Sequence, residues 1–341
     1  MMCLTASASH AGHGTDSRGK TPARRSVIFL RRLATALVIV SATLGSAQDR
    51  PAPATAPQSL TDVQVVVLGT GTPRPDAGRS GPALAIVVNG SAYLVDFGPG
   101  VVRRATLAAR ERHIAALEAR NLKIAFATHL HSDHTAGLSD LFLTPALMGR
   151  GAPLELYGPP GLAAMARHIE QAYAEDIAVR TQGLEHGDPR AYRIDAHEIK
   201  PGVVYQDANV KVTAFAVAHG SWRYAYGYRF DAGGRSIVIS GDTGPTDSVA
   251  QACHGCDLLF HEAYSVKWFD ESKPGWQKYL SSFHVSTTQL AAIAAAAKPK
   301  QLVLYHQMFV AGDNPDVIMI EEIRKAGYQG AVASAHDLEV F

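Results

Sequence analysis

Short apolar runs broken by Gly, Pro, Asn and Asp recur along this chain and alternate with longer stretches of helical spacing. The first run, 63–68 (VQVVVL), reads as a buried strand, and Gly69-Thr70-Gly71-Thr72-Pro73 then breaks it into a loop reaching Gly81-Pro82. Runs 83–88 and 92–96 flank Asn89-Gly90, the strongest short hairpin signal. Ala-rich spacing after Gly98-Pro99-Gly100 predicts a helix over 101–117, followed by a strand at 123–127 (KIAFA). A strand near 154–157 and a helix over 161–173 come next, while 174–209 is polar and irregular with some strand character.

The theme then repeats. Strands are expected at 210–217, 225–230 and 236–240, a short helix ends near Val249, and 258–260 is another strand. A helix at 287–297, a strand at 301–305, a helix at 315–325 and a strand at 331–335 close the chain. Two halves, each opening with strands and hairpins and closing with helices, predict an α/β protein: an αββα sandwich of two mixed sheets flanked by helices. No solenoid period is present.

Composition changes this picture only at the amino end. With 47% hydrophobic and 18% charged residues over 341 positions, the chain has an ordinary globular balance that excludes extensive disorder. Arg18, Lys20, Arg24, Arg25, Arg31 and Arg32 precede an apolar stretch at 33–44 and the small residues Gly45-Ser46-Ala47, so 1–47 is expected to be an export signal. The apolar stretch falls short of the roughly twenty residues a membrane span needs, which argues against a stable anchor. Residues 48–60, rich in Pro, Ala and Gln, read as a flexible linker, with the domain running 61–341 and the protein periplasmic or secreted. Loss of the leader takes the net charge from +1 (32 minus 31) to −4 (26 minus 30). A mildly acidic protein argues against a broad nucleic-acid footprint, so nucleic acid is not the expected partner. A homodimer is left open. Cys253 and Cys256, spaced as Cys-His-Gly-Cys, suit a small structural disulfide in an oxidising compartment.

The chemistry concentrates in Thr128-His129-Leu130-His131-Ser132-Asp133-His134, directly after the strand at 123–127. His129 and His131, two apart on extended backbone, point the same way and can grip one ion. Asp133 and His134 follow at the turn and can hold a second. Imidazole with carboxylate and no thiolate suits zinc, with manganese or iron as alternatives. Three later strands also run into ligands: His219, Asp242 and His306. His219 can complete a set with His129 and His131, His306 can join Asp133 and His134, and Asp242 can bridge. These seven positions can serve two zinc ions.

HxHxDH followed by single His, Asp and His ligands at strand ends resembles the metallo-β-lactamase-fold hydrolases over nearly all of 62–341. Within them the chain looks most like the ribonuclease Z branch and its phosphodiesterase relatives. Gly69-Thr70-Gly71-Thr72-Pro73, Asp96-Phe97-Gly98-Pro99-Gly100, Ser240-Gly241-Asp242-Thr243, His261-Glu262-Ala263 and His284-Val285-Ser286-Thr287 carry the likeness. The resemblance implies that Asp96 supports the metal loop and that Glu262 and His284 form a pair that protonates the leaving group. A carboxylate beside an imidazole should keep it charged and oriented. The implied reaction is attack on a phosphodiester or similar ester, a small-molecule substrate, by hydroxide held between two ions, with Asp133 orienting it.

The chain departs from ribonuclease Z proper in its export signal and in the short segment 230–239, which lacks a proline-lysine-leucine loop. Arylsulfatase, lactonase or β-lactamase activity are alternatives on this fold, and a zinc-binding adaptor is the non-enzyme alternative. Tyr264, Trp268, Phe269, Trp276, Tyr279 and Phe283 could form a lid for an apolar substrate or could simply pack. Trp222, Tyr224 and Tyr226 invite the same two readings.

Overall fold

The computed structural model describes residues 63–341, so the expected export signal (1–47), the linker (48–60) and the first two residues of the expected domain lie outside it. Along the first half run β1 (Val63–Gly69), β2 (Ala83–Val88), β3 (Ser91–Val95), α1 (Val101–Glu111), β4 (Ile124–Phe126), α2 (Ser132–Thr135), α3 (Leu138–Leu147), β5 (Leu154–Gly158), α4 (Leu162–Ala172), α5 (Ala174–Gln182) and β6 (Ile194–Glu198). The second half holds β7 (Gly202–Gln206), β8 (Val210–Ala216), β9 (Tyr226–Ala232), β10 (Arg235–Ile239), α6 (Asp247–Cys253), β11 (Leu258–Tyr264), α7 (Val266–Glu271), α8 (Pro274–Phe283), α9 (Thr287–Ala297), β12 (Gln301–Met308), α10 (Pro315–Lys325) and β13 (Val332–Ser334).

Each half contributes one mixed sheet. The first is ordered β1-β2-β3-β4-β5-β6 and the second β13-β12-β11-β10-β9-β8-β7. In both, antiparallel hairpins at one side give way to parallel strands at the other. Side-chain alternation does the layering. Val63, Val65 and Val67 of β1 face the second sheet and meet Tyr228, Phe230 and Ile237, whereas Val66 and Leu68 face the helices with Val101, Ala105 and Leu138. On the far side Val238, Leu259 and Leu302 pack under Leu290, Met319 and Ile323 of α9 and α10. The expected αββα sandwich is the observed one.

Three local differences have physical reasons. The helix expected over 101–117 stops at Glu111, because His113 takes a left-handed φ of 56° that no α-helix can carry through. The stretch 174–209 contains a helix, α5, with no buried residue, so it shows no apolar stripe to read. The strands expected at 258–260 and 301–305 run on to Tyr264 and Met308, carrying polar residues inside the sheet. Cys253 and Cys256 form the expected disulfide, both buried. Among the described residues no helix is long and apolar enough to cross a membrane.

One buried cation supports the first half. Pro145 lies inside α3 and has no N–H, so the Leu141 carbonyl four residues back lacks its helical donor. Arg150 Nη1 donates to that carbonyl at 3.1 Å, while its Nη2 donates to Phe142 O (3.1 Å) and Ala191 O (2.5 Å) and its Nε to Ala152 O (3.0 Å). Burial lowers its pKa to about 10, which leaves it charged at neutral pH. Replacing Arg150 by Leu would strand these carbonyls. We expect Arg150→Leu to cost about 2–4 kcal/mol in urea unfolding, and a loss under about 0.5 kcal/mol would show that the carbonyls find other donors.

Candidate metal centre

β3 ends at Val95, and the next residue, Asp96, turns left-handed at φ 58° and points its carboxylate into the loop that follows β4. Oδ1 accepts from Thr128 N at 2.8 Å; Oδ2 accepts from Thr128 Oγ1 at 2.9 Å and from His134 Nδ1 at 2.8 Å. Because Nδ1 is committed to Asp96, His134 directs its Nε2 into the site. The loop can come this close because Gly98 and Gly137 face each other: a Cβ on Gly98 would sit 2.4 Å from Asp133 O, and one on Gly137 2.4 Å from Gly98 O.

Neighbouring groups orient the other imidazoles as well. Thr128 Oγ1 lies 2.9 Å from His129 Nδ1, and Phe283 O accepts from His219 Nδ1 at 2.8 Å. Both histidines therefore turn Nε2 inward, to 3.0 and 3.1 Å from His131 Nδ1. His306 sits where β11 and β12 slip register: Tyr305 and His306 together oppose Glu262, and His306 takes φ 46°. That bulge aims His306 at Asp133, Nε2 to Oδ2 3.2 Å.

All seven expected ligands converge. His129, His131, His219 and Asp242 form one set, and Asp133, His134 and His306 another, with the donor atoms of each set within 4.8 Å of one another. Asp242, carried on the left-handed Gly241, joins them: its Oδ2 is 3.4 Å from His134 Nε2, 3.5 Å from His306 Nε2 and 3.9 Å from His129 Nε2. The residues fit a divalent metal pair. Tetrahedral ligands at ~2.0–2.1 Å from zinc lie roughly 3.3 Å apart, close to the spacings here, and His134 Nε2 and Asp242 Oδ1 are buried without a hydrogen-bond partner.

Charge is organised to match. Burial opposes ionisation of Asp242 and Asp133, yet the surrounding histidines hold Asp242 well below the usual carboxylate range and Asp133 below it. Burial likewise opposes protonation of His134 and His306, but Asp242 and Asp133 raise both, with Asp96 adding to the rise at His134. Burial dominates at His129 and His131, which are pushed down, and at His219, pushed down to about 4.

Glu262 and His284 lie beside this centre, Oε1 to Nδ1 3.4 Å. Ser286 and Gln289 cap α9 by themselves, so His284 is not needed at that helix start. Thr243 N and Val285 N both donate to Glu262 Oε1 at 3.3 Å. Burial pushes His284 down to about 4, while burial and then Asp242 push Glu262 well up. His261, in the same motif, is buried and donates to Glu262 O at 2.7 Å, outside both donor sets.

The aromatic residues divide between the two readings. Trp268, Trp276 and Tyr279 line a cavity above the centre, whereas Phe269 stacks on Tyr264 and Phe283 packs on Tyr279 and His219. Trp222 donates to His131 Nε2 at 2.7 Å, Tyr226 is core, and Tyr224 lies beneath Arg223. Arg79 and Gln307 also face the cavity and were not anticipated; a lone Arg or Gln in a loop or strand carries no spacing signal.

Comparison with known proteins gives consistent results. Residues 92–307 match the family model described as a beta-lactamase superfamily domain. The chain is 31% identical to a ribonuclease Z of Mycobacterium bovis over 254 residues, covering 73% of this chain and 88% of that one. Human tRNase Z, short form, superposes with a TM-score of 0.59 at 25% identity over 82% of this chain and 98% of the other. The metallo-beta-lactamase fold protein YhfI of Bacillus subtilis does so with a TM-score of 0.62 at 18% identity over the same shares.

Two predictions follow from the geometry. Asp96→Asn keeps the shape and tolerates positive φ, but its amide nitrogen cannot accept from His134 Nδ1; zinc affinity measured by chelator competition should fall about 10–100-fold, and an unchanged affinity would show that Asp96 does not set the His134 tautomer. Second, unfolding returns buried histidines to about 6.5. Between that pH and about 4, His219, His261 and His284 are neutral when folded but protonated when unfolded, and His129 and His131, pushed down as well, act in the same direction, so stability falls with acid. Glu262 opposes this as a single group, and His134 and His306, being raised, are protonated in both states there and lose their contribution only as pH rises above that window. The melting temperature of metal-free protein should therefore peak near pH ~6.5 and drop toward ~4.5; a flat acid limb would contradict the buried neutral histidines.

Proposed function

We propose a substrate and a metal for a chain that belongs to the beta-lactamase superfamily, in its ribonuclease Z-like branch, and is a metal-dependent hydrolase. The metal is a zinc pair and the substrate a phosphodiester. The observation that carries this reading is the single carboxylate of Asp242 set between two histidine-rich donor groups, with a buried Glu-His pair alongside. His129, His131 and His219 would hold one ion and Asp133, His134 and His306 the other, with Asp242 serving both. When bound, such ions clamp non-bridging oxygens and lower the pKa of water to roughly 7.

The chain's own residues supply the rest. Asp133 Oδ2, fixed by His306, accepts a hydrogen bond from the attacking water and orients it. His284 faces the cavity and presents its second nitrogen to the departing oxygen. Positive charge held at Asp242 would offset the anionic field that raises Glu262, favouring the carboxylate and passing the pair's proton to His284. A poor alkoxide leaving group needs that proton, and a nitrophenolate does not.

The name of the relatives runs against the expectation that nucleic acid is not the partner, since a ribonuclease acts on RNA. The basic residues and the apolar stretch that follows them at 33–44 support export to the periplasm or beyond as part of the same proposal. In a panel of bis-p-nitrophenyl phosphate, p-nitrophenyl sulfate, nitrocefin and an acyl-homoserine lactone, the zinc-loaded protein should turn over the phosphodiester best. Efficient lactone or nitrocefin turnover without diester turnover would overturn the assignment. His284→Ala should slow a dialkyl phosphodiester about 10²–10⁴-fold while slowing the nitrophenyl diester roughly tenfold at most, and equal losses would remove His284 from the acid role.

A further inference from the structure

The centre opens into a cavity of about 680 Å³, the size that suits a small molecule. His131, Asp242 and His284 form its floor. One wall is aromatic, built by Trp268 from α7 and by Trp276 and Tyr279 from α8. The facing wall is the loop after β1, which contributes Arg74 and Arg79.

Arg79 is held in place. Its Nη1 donates to Gln307 Oε1 at 3.1 Å, and its guanidinium lies 5.1 Å over the Phe309 ring. Gln307 cannot turn its amide around, because its Nε2 donates to Ser334 Oγ at 2.6 Å, and that hydroxyl donates to Asp316 Oδ1 at 2.5 Å. The loop is pinned as well: Asp337 accepts from Thr70 N and Oγ1 (both 2.9 Å) and from Ser80 N (2.7 Å), and pairs with Arg104. Among the described residues no carboxylate pairs with Arg79, so a fixed cation with further N–H donors faces an aromatic wall. Packing alone would not require a guanidinium there.

We infer that this cavity is the leaving-group subsite, taking the aromatic ring of the departing half of a small phosphodiester, with Arg79 donating to an acceptor on that ring. The inference rests on the phosphodiester reading above. It follows from position: the half of the substrate lying next to His284 is the half whose oxygen His284 can protonate. In the reaction a water oxygen bonds to phosphorus, losing one proton that passes to solvent and later restores the one His284 gives up, and the bond from phosphorus to the cavity-side oxygen breaks. The electron pair stays on that oxygen, which takes the His284 proton, giving a phosphomonoester and an aromatic alcohol. Stacking on Trp and Tyr accepts any flat ring, and the guanidinium adds preference for one bearing an acceptor.

Trp276 is 56% exposed and Arg79 lies on a loop, so truncating either leaves the core intact. With zinc-loaded protein, methyl p-nitrophenyl phosphate is compared with methyl 2,2,2-trifluoroethyl phosphate, which has no ring. Trp276→Ala and Arg79→Gln should each lower kcat/KM for the aryl diester about tenfold, chiefly through KM, and change the alkyl diester less than about threefold. Separately, p-nitrophenol should quench the tryptophan fluorescence of the metal-free protein, with an affinity weakened about tenfold by either substitution. Equal effects on both diesters, or the absence of quenching, would overturn the subsite. Failure to hydrolyse either diester would overturn the phosphodiester reading, and the quenching titration would still decide whether the cavity takes the ring. Cleavage of a structured precursor RNA in preference to both diesters, undiminished by Trp276→Ala, would overturn the small-substrate assignment.

Discussion

The site depends on one buried carboxylate that belongs to neither donor set. Asp96, the residue just after β3, accepts three hydrogen bonds from the loop after β4, and so fixes both the backbone at Thr128 and the ring of His134. That loop has little regular structure of its own beyond the four residues of α2, and Thr128, His129, Asp133, His134 and Thr135 within it are buried. A buried loop without such an acceptor would carry unpaired donors at a cost of about 1–3 kcal/mol each. The left-handed turn at Asp96 and the Gly98–Gly137 approach are what let the acceptor reach.

From that fixed point the centre reaches across the sandwich. His129, His131, Asp133 and His134 come from the first half, while His219, Asp242 and His306 come from the second. Seven donors drawn from both sheets bring carboxylates and histidines into contact in a buried space. Each buried carboxylate keeps its charge only because the imidazoles around it offset the loss of water. The same mutual dependence makes the metal-free site sensitive to acid and suits it to binding cations.

Much of this was legible in the chain because ligand spacing and strand alternation are local signals. HxHxDH after an apolar strand, and the later histidines and aspartate, all meet in space as expected. What escaped was non-local or unpatterned. The continuation of β11 and β12 through Glu262 and His306 is hidden because a bulge breaks the alternation that marks a strand. Helix α5 buries nothing, so it has no stripe. Arg150 compensates for Pro145 inside a helix, a role visible only once the carbonyl at Leu141 is seen to lack its donor. Asp337 acts on Thr70 and Ser80 more than 250 residues away, and no single-chain pattern announces such a pair.

The segment between β11 and α9 links selectivity to chemistry. It starts just after Glu262, builds an aromatic wall with α7 and α8, and ends at His284. Phe283, the last residue of α8, accepts from His219 through its carbonyl, and its ring lies edge-on to the same histidine. A shift of α8 would therefore move the cavity wall, the proposed acid and one metal-ligand candidate together. Trp276 and Tyr279 sit on the helix that leads directly into His284, eight and five residues ahead of it, so a ring bound against them would lie against the element that positions the proposed acid.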